Sequence, residues 1–130
     1  MPRNKSAILC VDDEKTVLET LQQQLKSIFS NKYLIEIAES GEEAIEVLED
    51  LVSDGFETIL IITDWQMPGM KGDELLVHVN QHHDKIVKIL LTGHAPEEAV
   101  QRAFSEAELD HYIQKPWKKD DLEIKIEQLK

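Results

Sequence analysis

The stretch Thr58–Thr63, TILIIT, is almost solid in β-branched residues and leucine, and it runs directly into Asp64. A strand with one wet face alternates apolar and polar residues. A run with no polar face marks a central strand of a parallel sheet, covered on both sides. The chain contains the other strands such a sheet needs. Ser6–Val11 (SAILCV) reads as a buried strand ending at Asp12 and Asp13, and Tyr33–Ala38 (YLIEIA) as a strand with one wetter face. Val87–Leu91 (VKILL) and His111–Gln114 (HYIQ) complete the set.

Amphipathic stretches separate these runs. Lys15 to Ser30 carries Leu18, Leu21, Leu25, Ile28 and Phe29 at helical spacing. Ser40 is placed to cap the next helix, with Glu43 three residues on, and Ala44, Ile45, Leu48, Leu51 and Val52 carry it to the breaker Asp54-Gly55. Gly72 to His82 is amphipathic through Leu75, Leu76 and Val79. Pro96 to Phe104 reads as a short helix with Pro96 in its first turn. Asp120 or Asp121 opens a last helix with Leu122, Ile126 and Leu129 on one stripe and Ile124 off it. Strand and helix thus alternate five times, which predicts an α/β fold: a doubly wound parallel sheet with right-handed crossovers.

At 130 residues this is one domain, 1–130, with no Ser/Gly-rich linker or repeat. The last helix reaches Glu127-Gln128-Leu129-Lys130 without a cap or breaker, as expected of the N-terminal part of a longer protein whose helix continues into an output module. With 14 basic against 26 acidic residues, the net charge of −12 would repel a phosphate backbone, so no direct nucleic-acid contact is expected. No apolar run approaches the roughly 18 residues of a membrane span, and the opening MPRNKSAILCVDDE lacks the apolar core of a signal peptide. The single cysteine, Cys10, cannot form an internal disulfide and reads as a small buried hydrophobe, in keeping with a cytoplasmic location.

In open parallel sheets, ligands bind beyond the carboxyl ends of the strands. Those ends here are Asp12 and Asp13, Asp64, Thr92 and Lys115. Three carboxylates held together repel one another, and a hard divalent cation such as Mg²⁺ removes the conflict. A lysine and a hydroxyl opposite them add a positive charge and a hydrogen-bond donor. The set suits phosphoryl transfer, with a carboxylate as nucleophile. Asp64, between the acid pair and the Thr/Lys pair, is the central candidate. Each residue alone would pass for a turn former or cap; their joint placement at four strand ends would not.

Four pieces resemble the receiver domain of two-component response regulators, of the chemotaxis-regulator type. They are Val11-Asp12-Asp13-Glu14, Asp64-Trp65-Gln66-Met67-Pro68-Gly69-Met70-Lys71-Gly72, Leu91-Thr92-Gly93 and Tyr112-Ile113-Gln114-Lys115-Pro116-Trp117. They stand in the family's order, near its spacing, and cover essentially the whole chain. The resemblance implies a flavodoxin-like five-stranded sheet in the order 2-1-3-4-5 with five helices. It implies that Asp64 accepts a phosphoryl group from a phosphohistidine on a sensor histidine kinase or phosphotransfer protein. Asp12, Asp13, Asp64 and the backbone carbonyl of Gln66 would hold Mg²⁺ or Mn²⁺, and Thr92 and Lys115 would contact the phosphoryl oxygens. Thr92 and Tyr112 would form the switch, altering the surface of the fourth helix, fifth strand and fifth helix that controls an output domain or effector or forms a homodimer. Gln66 and His94 occupy the positions that tune how long the phosphoryl group lasts.

The chain departs from the commonest pattern at Gly93, often Ala, and at Trp117, often Phe. Such a domain is not a conventional enzyme; it phosphorylates itself from phosphodonors with Mg²⁺ and slowly dephosphorylates. An aspartyl phosphatase would carry an acid where Gln66 stands, and an FMN binder would carry a Ser/Thr/Gly-rich loop where Asp12-Asp13-Glu14 stand. The remaining alternative is a receiver-like interaction module that acts without phosphorylation. His78 and His82 have a metal-like spacing but no obvious further ligand, so they read as a solvated helix face. Trp65 and Trp117 are expected to flank the pocket.

Overall fold

The computed structural model describes residues 5–128. Its elements run β1 (Lys5–Val11), α1 (Lys15–Ile28), β2 (Leu34–Ala38), α2 (Gly41–Ser53), β3 (Phe56–Thr63), α3 (Gly72–His82), β4 (Val87–Thr92), α4 (Glu97–Glu106), β5 (His111–Gln114) and α5 (Lys119–Glu127). The strands form one sheet, every pair parallel, in the order β2-β1-β3-β4-β5. The doubly wound α/β reading and the strand order implied by the resemblance are both borne out.

Strand periodicity builds two cores. Along β1, Ile8 and Cys10 face one way and pack with Leu18, Leu21 and Leu25 of α1 and Leu122 and Ile126 of α5. Leu9 and Val11 face the other way and pack with Leu48 of α2 and with Leu75, Leu76 and Val79 of α3. Successive side chains of β3 divide likewise, Leu60 and Ile62 to the first layer and Ile61 to the second. The unbroken apolar run of β3 is therefore the requirement of a strand buried on both faces.

Local signals set most helix ends. Ser40 Oγ accepts the Glu43 N–H at 3.0 Å, as expected of a cap, but Glu43 reaches back to the N–H of Glu39, one residue before the cap. Pro96 stands at the N-cap of α4 instead of inside its first turn. Helix α5 begins at Lys119, and Asp121 bonds back to the Lys118 N–H at 3.1 Å. Val52 and Ile124 are exposed, the first against its expected place on an apolar stripe and the second in agreement with its place off one. Leu129 lies outside the described residues.

Register then positions the site. Val11 pairs with Thr63, so the next residues, Asp12 and Asp64, leave the sheet side by side. Thr92 pairs with Gln114, which puts Lys115 immediately beyond the same edge, its N–H bonded to the Thr92 carbonyl at 3.1 Å.

Candidate functional site

Two backbone hydrogen bonds anchor the acids as continuations of the sheet: Asp12 N–H to the Ala38 carbonyl at 3.1 Å and Asp64 N–H to the Val11 carbonyl at 2.9 Å. Asp12 is almost fully buried and Asp64 nearly so, whereas Asp13 is exposed. Oxygens of Asp12, Asp13 and Asp64 lie within 4.8 Å of one another, the one cluster of three or more candidate metal ligands among the described residues. Hard oxygen ligands in that number suit a divalent cation of the Mg²⁺ type, with water completing the shell.

Lys115 enters from β5. Its Nζ is 2.7 Å from Asp12 Oδ2 and 3.5 Å from Asp64 Oδ2. Burial pushes the Asp12 carboxyl up from its ordinary value, against the opposing pull of the Lys115 ammonium and the Glu14 N–H. Burial works to lower Lys115, but its bonds and attraction to Asp12 and Asp64 outweigh this and raise it. The other oxygen of Asp64, Oδ1, accepts the Trp65 N–H at 2.8 Å. One carboxylate oxygen is thus held by the backbone, and the other faces the lysine.

Asp12, Asp13, Asp64 and Lys115 are therefore brought together. Thr92 is buried at the adjoining end of β4. Gln66 and His94 are exposed on the two loops beside the site. Tyr112, opposite Leu90 in β5, is half-buried against the layer that includes α3. A Cβ on Gly93 would make only ordinary contact with Lys115, 3.6 Å away, so this glycine is not required sterically.

The expectation for Trp117 needs correction. It packs into the α1/α5 layer, and its Nε1 donates to Gln24 Oε1 on α1 at 2.7 Å. An indole needs both an apolar bed and an acceptor, and α1 offers both. His78 and His82 stack with ring centroids 4.1 Å apart, and His82 Nδ1 lies 2.9 Å from the His78 carbonyl, so the pair is occupied with itself.

Sequence reasoning missed two buried charges. Lys88 is 2% exposed inside β4, its ammonium donating to the Ile86 carbonyl at 2.7 Å. Asp73, in the first turn of α3, is 4% exposed and bonds Trp65 Nε1 at 3.0 Å. The only sequence signal for Asp73 was an acid following Gly72, which a helix start explains without any tertiary contact.

The loop from β3 to α3 is closely fitted. A Cβ on Gly72 would stand 2.1 Å from the Asp64 carbonyl oxygen, and the Gly72 N–H donates to the Trp65 carbonyl at 2.9 Å. Met70 N–H points at Glu42 Oε2 on α2, 3.4 Å away. Lys71 Nζ caps the Met67 carbonyl at 2.9 Å.

Comparison with known proteins agrees with this geometry. The hydrogenase transcriptional regulatory protein HoxA of Cupriavidus necator is 30% identical over 122 residues, which are 94% of this chain and 23% of that protein. The chain spans only 12–24% of the length of the first curated relatives it matches. The CheY-like response regulator receiver domain protein of Methanospirillum hungatei JF-1 superposes with a TM-score of 0.84 at 30% identity, over 97% of this chain and 94% of that one. Response regulator TrrA of Thermotoga maritima, solved in complex with Mg²⁺-BeF, gives 0.78 at 29% identity, over 96% and 99%. The family model for the response regulator receiver domain matches residues 8–127, nearly the whole described sheet and its helices, and the chain belongs to that family of two-component signalling domains.

Proposed function

We propose that Asp64 is the phosphoacceptor and that Asp12, Asp13 and the Gln66 carbonyl join it in holding Mg²⁺. The supporting observation is the convergence of three carboxylates within 4.8 Å, with the Lys115 ammonium against two of them. The Mg²⁺-BeF complex of TrrA favours the same assignment. When bound, the cation offsets the mutual repulsion of the acids and neutralises phosphoryl oxygens.

Asp64 Oδ2 attacks the phosphorus of a phosphohistidine on a sensor kinase or phosphotransfer protein. The N–P bond breaks as the O–P bond forms, and the imidazole leaves with its electron pair. The Trp65 N–H keeps Oδ1 turned away, while Lys115 and Thr92 receive the phosphoryl oxygens. The new dianion draws Thr92 toward it, and Tyr112 turns into the space released. The surface of α4, β5 and α5 then changes what it presents to an output domain, an effector or a second copy. The transcriptional regulator HoxA, of which this chain matches less than a quarter, is in keeping with a domain that controls a larger protein.

The test is intact mass after incubation with acetyl phosphate, with Mg²⁺ and with excess chelator, on the wild type and Asp64→Asn. The expected result is a Mg²⁺-dependent gain of one phosphoryl group, absent from the variant. Persistent stoichiometric labelling of Asp64→Asn would place the acceptor elsewhere.

A further inference from the structure

We propose that Asp73 is a positioning residue that ties the Asp64 carboxylate, through Trp65, to Arg102 on α4. The role rests on Asp64 being the phosphoacceptor. The two oxygens of Asp73 serve two directions: Oδ1 accepts the Trp65 indole N–H at 3.0 Å, and Oδ2 faces Arg102 NH1 at 3.4 Å. A carboxylate this deeply buried is rare unless paired, and Asp73 has a partner on each oxygen, the Trp65 indole and the Arg102 guanidinium.

Trp65 is the residue that orients the nucleophile. Its backbone N–H holds Asp64 Oδ1 at 2.8 Å, leaving Oδ2 as the oxygen turned toward Lys115. Its carbonyl accepts from Gly72, its ring lies 5.7 Å from the Lys71 ammonium, and its indole nitrogen is fixed by Asp73. Releasing the indole frees the ring to change rotamer and loosens the backbone donor attached to it. Reaction rates are sensitive to errors of this size, because an oriented nucleophile avoids an entropic cost at each attack.

Arg102 extends the connection to α4. It grips Glu106 at 3.4 Å on the same helix, and Asn80 of α3 donates to the Glu106 carbonyl at 3.4 Å farther along. Helices α3 and α4 are therefore joined at two places, one of which ends on the neighbour of the reacting carboxylate. A movement of α4 is felt at Trp65, and a change at Asp64 is felt at Arg102.

The experiment measures the rate of phosphoryl gain from acetyl phosphate at saturating Mg²⁺, by intact mass. The variants are Asp73→Leu, Asp73→Asn, Arg102→Gln and the double variant Asp73→Leu/Arg102→Gln. Asp73→Leu should slow the gain by about three- to tenfold, the range of coupling energies carried by such networks. Asp73→Asn, whose amide oxygen still accepts from the indole, should restore most of the rate. Arg102 is half-exposed, so Arg102→Gln will fold, and it should slow the gain by about twofold or more. The double variant should be no slower than Asp73→Leu alone, because the two act along one path. Additive slowing would indicate independent structural damage and overturn the proposal, as would Asp73→Leu and Arg102→Gln both reacting at the wild-type rate. A wild-type chain that takes up no phosphoryl group would instead overturn the phosphoacceptor reading, and this role with it.

Discussion

Lys115 and Asp12 are 103 residues apart in the chain, and their side chains meet at 2.7 Å across the site. The ammonium sits where it neutralises two of the three carboxylates, so an arriving divalent cation must share the acids with a positive charge already there. Lys115→Met should accordingly tighten Mg²⁺ binding by about three- to tenfold, the Coulombic effect of one charge in a partly solvated site. The same variant should take up the phosphoryl group poorly. Titration of the intrinsic fluorescence of the two tryptophans, of which Trp65 adjoins the acids, reads the first effect and intact mass the second. Weaker Mg²⁺ binding would mean that Lys115 organises the acids more than it competes for them.

Asp13 is the exposed member of the acid cluster and repels its two neighbours. Removing its charge should relieve that repulsion while taking away a ligand. Asp13→Asn should weaken Mg²⁺ binding by about tenfold or more and raise cation-free stability by about 0.5 kcal/mol. Urea melts with and without Mg²⁺ separate the two effects. A loss of stability without Mg²⁺ would show that Asp13 makes a favourable contact in the cation-free fold.

Gly72 has no room for a side chain, since its Cβ would lie 2.1 Å from the Asp64 carbonyl and 2.8 Å from the Trp65 Cα. The clash is with backbone, which cannot swing aside as a side-chain tip can. Gly72→Ala should therefore cost about 1–3 kcal/mol or more in urea unfolding. It should also slow phosphoryl uptake, because the displaced segment carries Asp64. An unchanged urea midpoint would show that α3 can slide away from β3 without loss.

Cys10 is fully buried, and burial pushes its thiol up to about 12 from an ordinary 9.0. At pH 8 the native thiol is protonated and inaccessible, so iodoacetamide should react only with the urea-unfolded chain. The linkage has one sign. The folded state holds the proton more tightly, so Cys10 contributes stability below pH 9 that is lost as pH rises from 9 toward 12. Rapid native labelling at pH 8 would contradict the burial of β1.

The elements were legible in the sequence because their signals are local. Helix α3 and strand β5 have the bounds read from periodicity and β-propensity, and the cap at Ser40 lies where its own neighbours called for it. The site was legible for a related reason. In a parallel sheet every strand points the same way, so residues that end strands collect on one edge whatever the details of packing. Asp12, Asp64, Thr92 and Lys115 needed only that rule, whereas Gln66, Tyr112 and His94 needed the resemblance to the family.

Pairing across the fold was not legible. Trp117 was expected at the pocket and lies on α1, held by Gln24, 93 residues away. Asp73 looked like a helix-start acid, yet it joins Trp65 to Arg102, 29 residues on. Lys88, a charged residue within the strand read at Val87–Leu91, is buried, with its ammonium on the Ile86 carbonyl. Apolar period and capping act over a few residues, so the order of residues along the chain was enough to mark the strands, the helices and the chemistry at the strand ends. Which buried polar groups meet was settled only once the chain had folded. That depends on strand register and on where each helix settles on the sheet, and both are set by the packing of the two cores together.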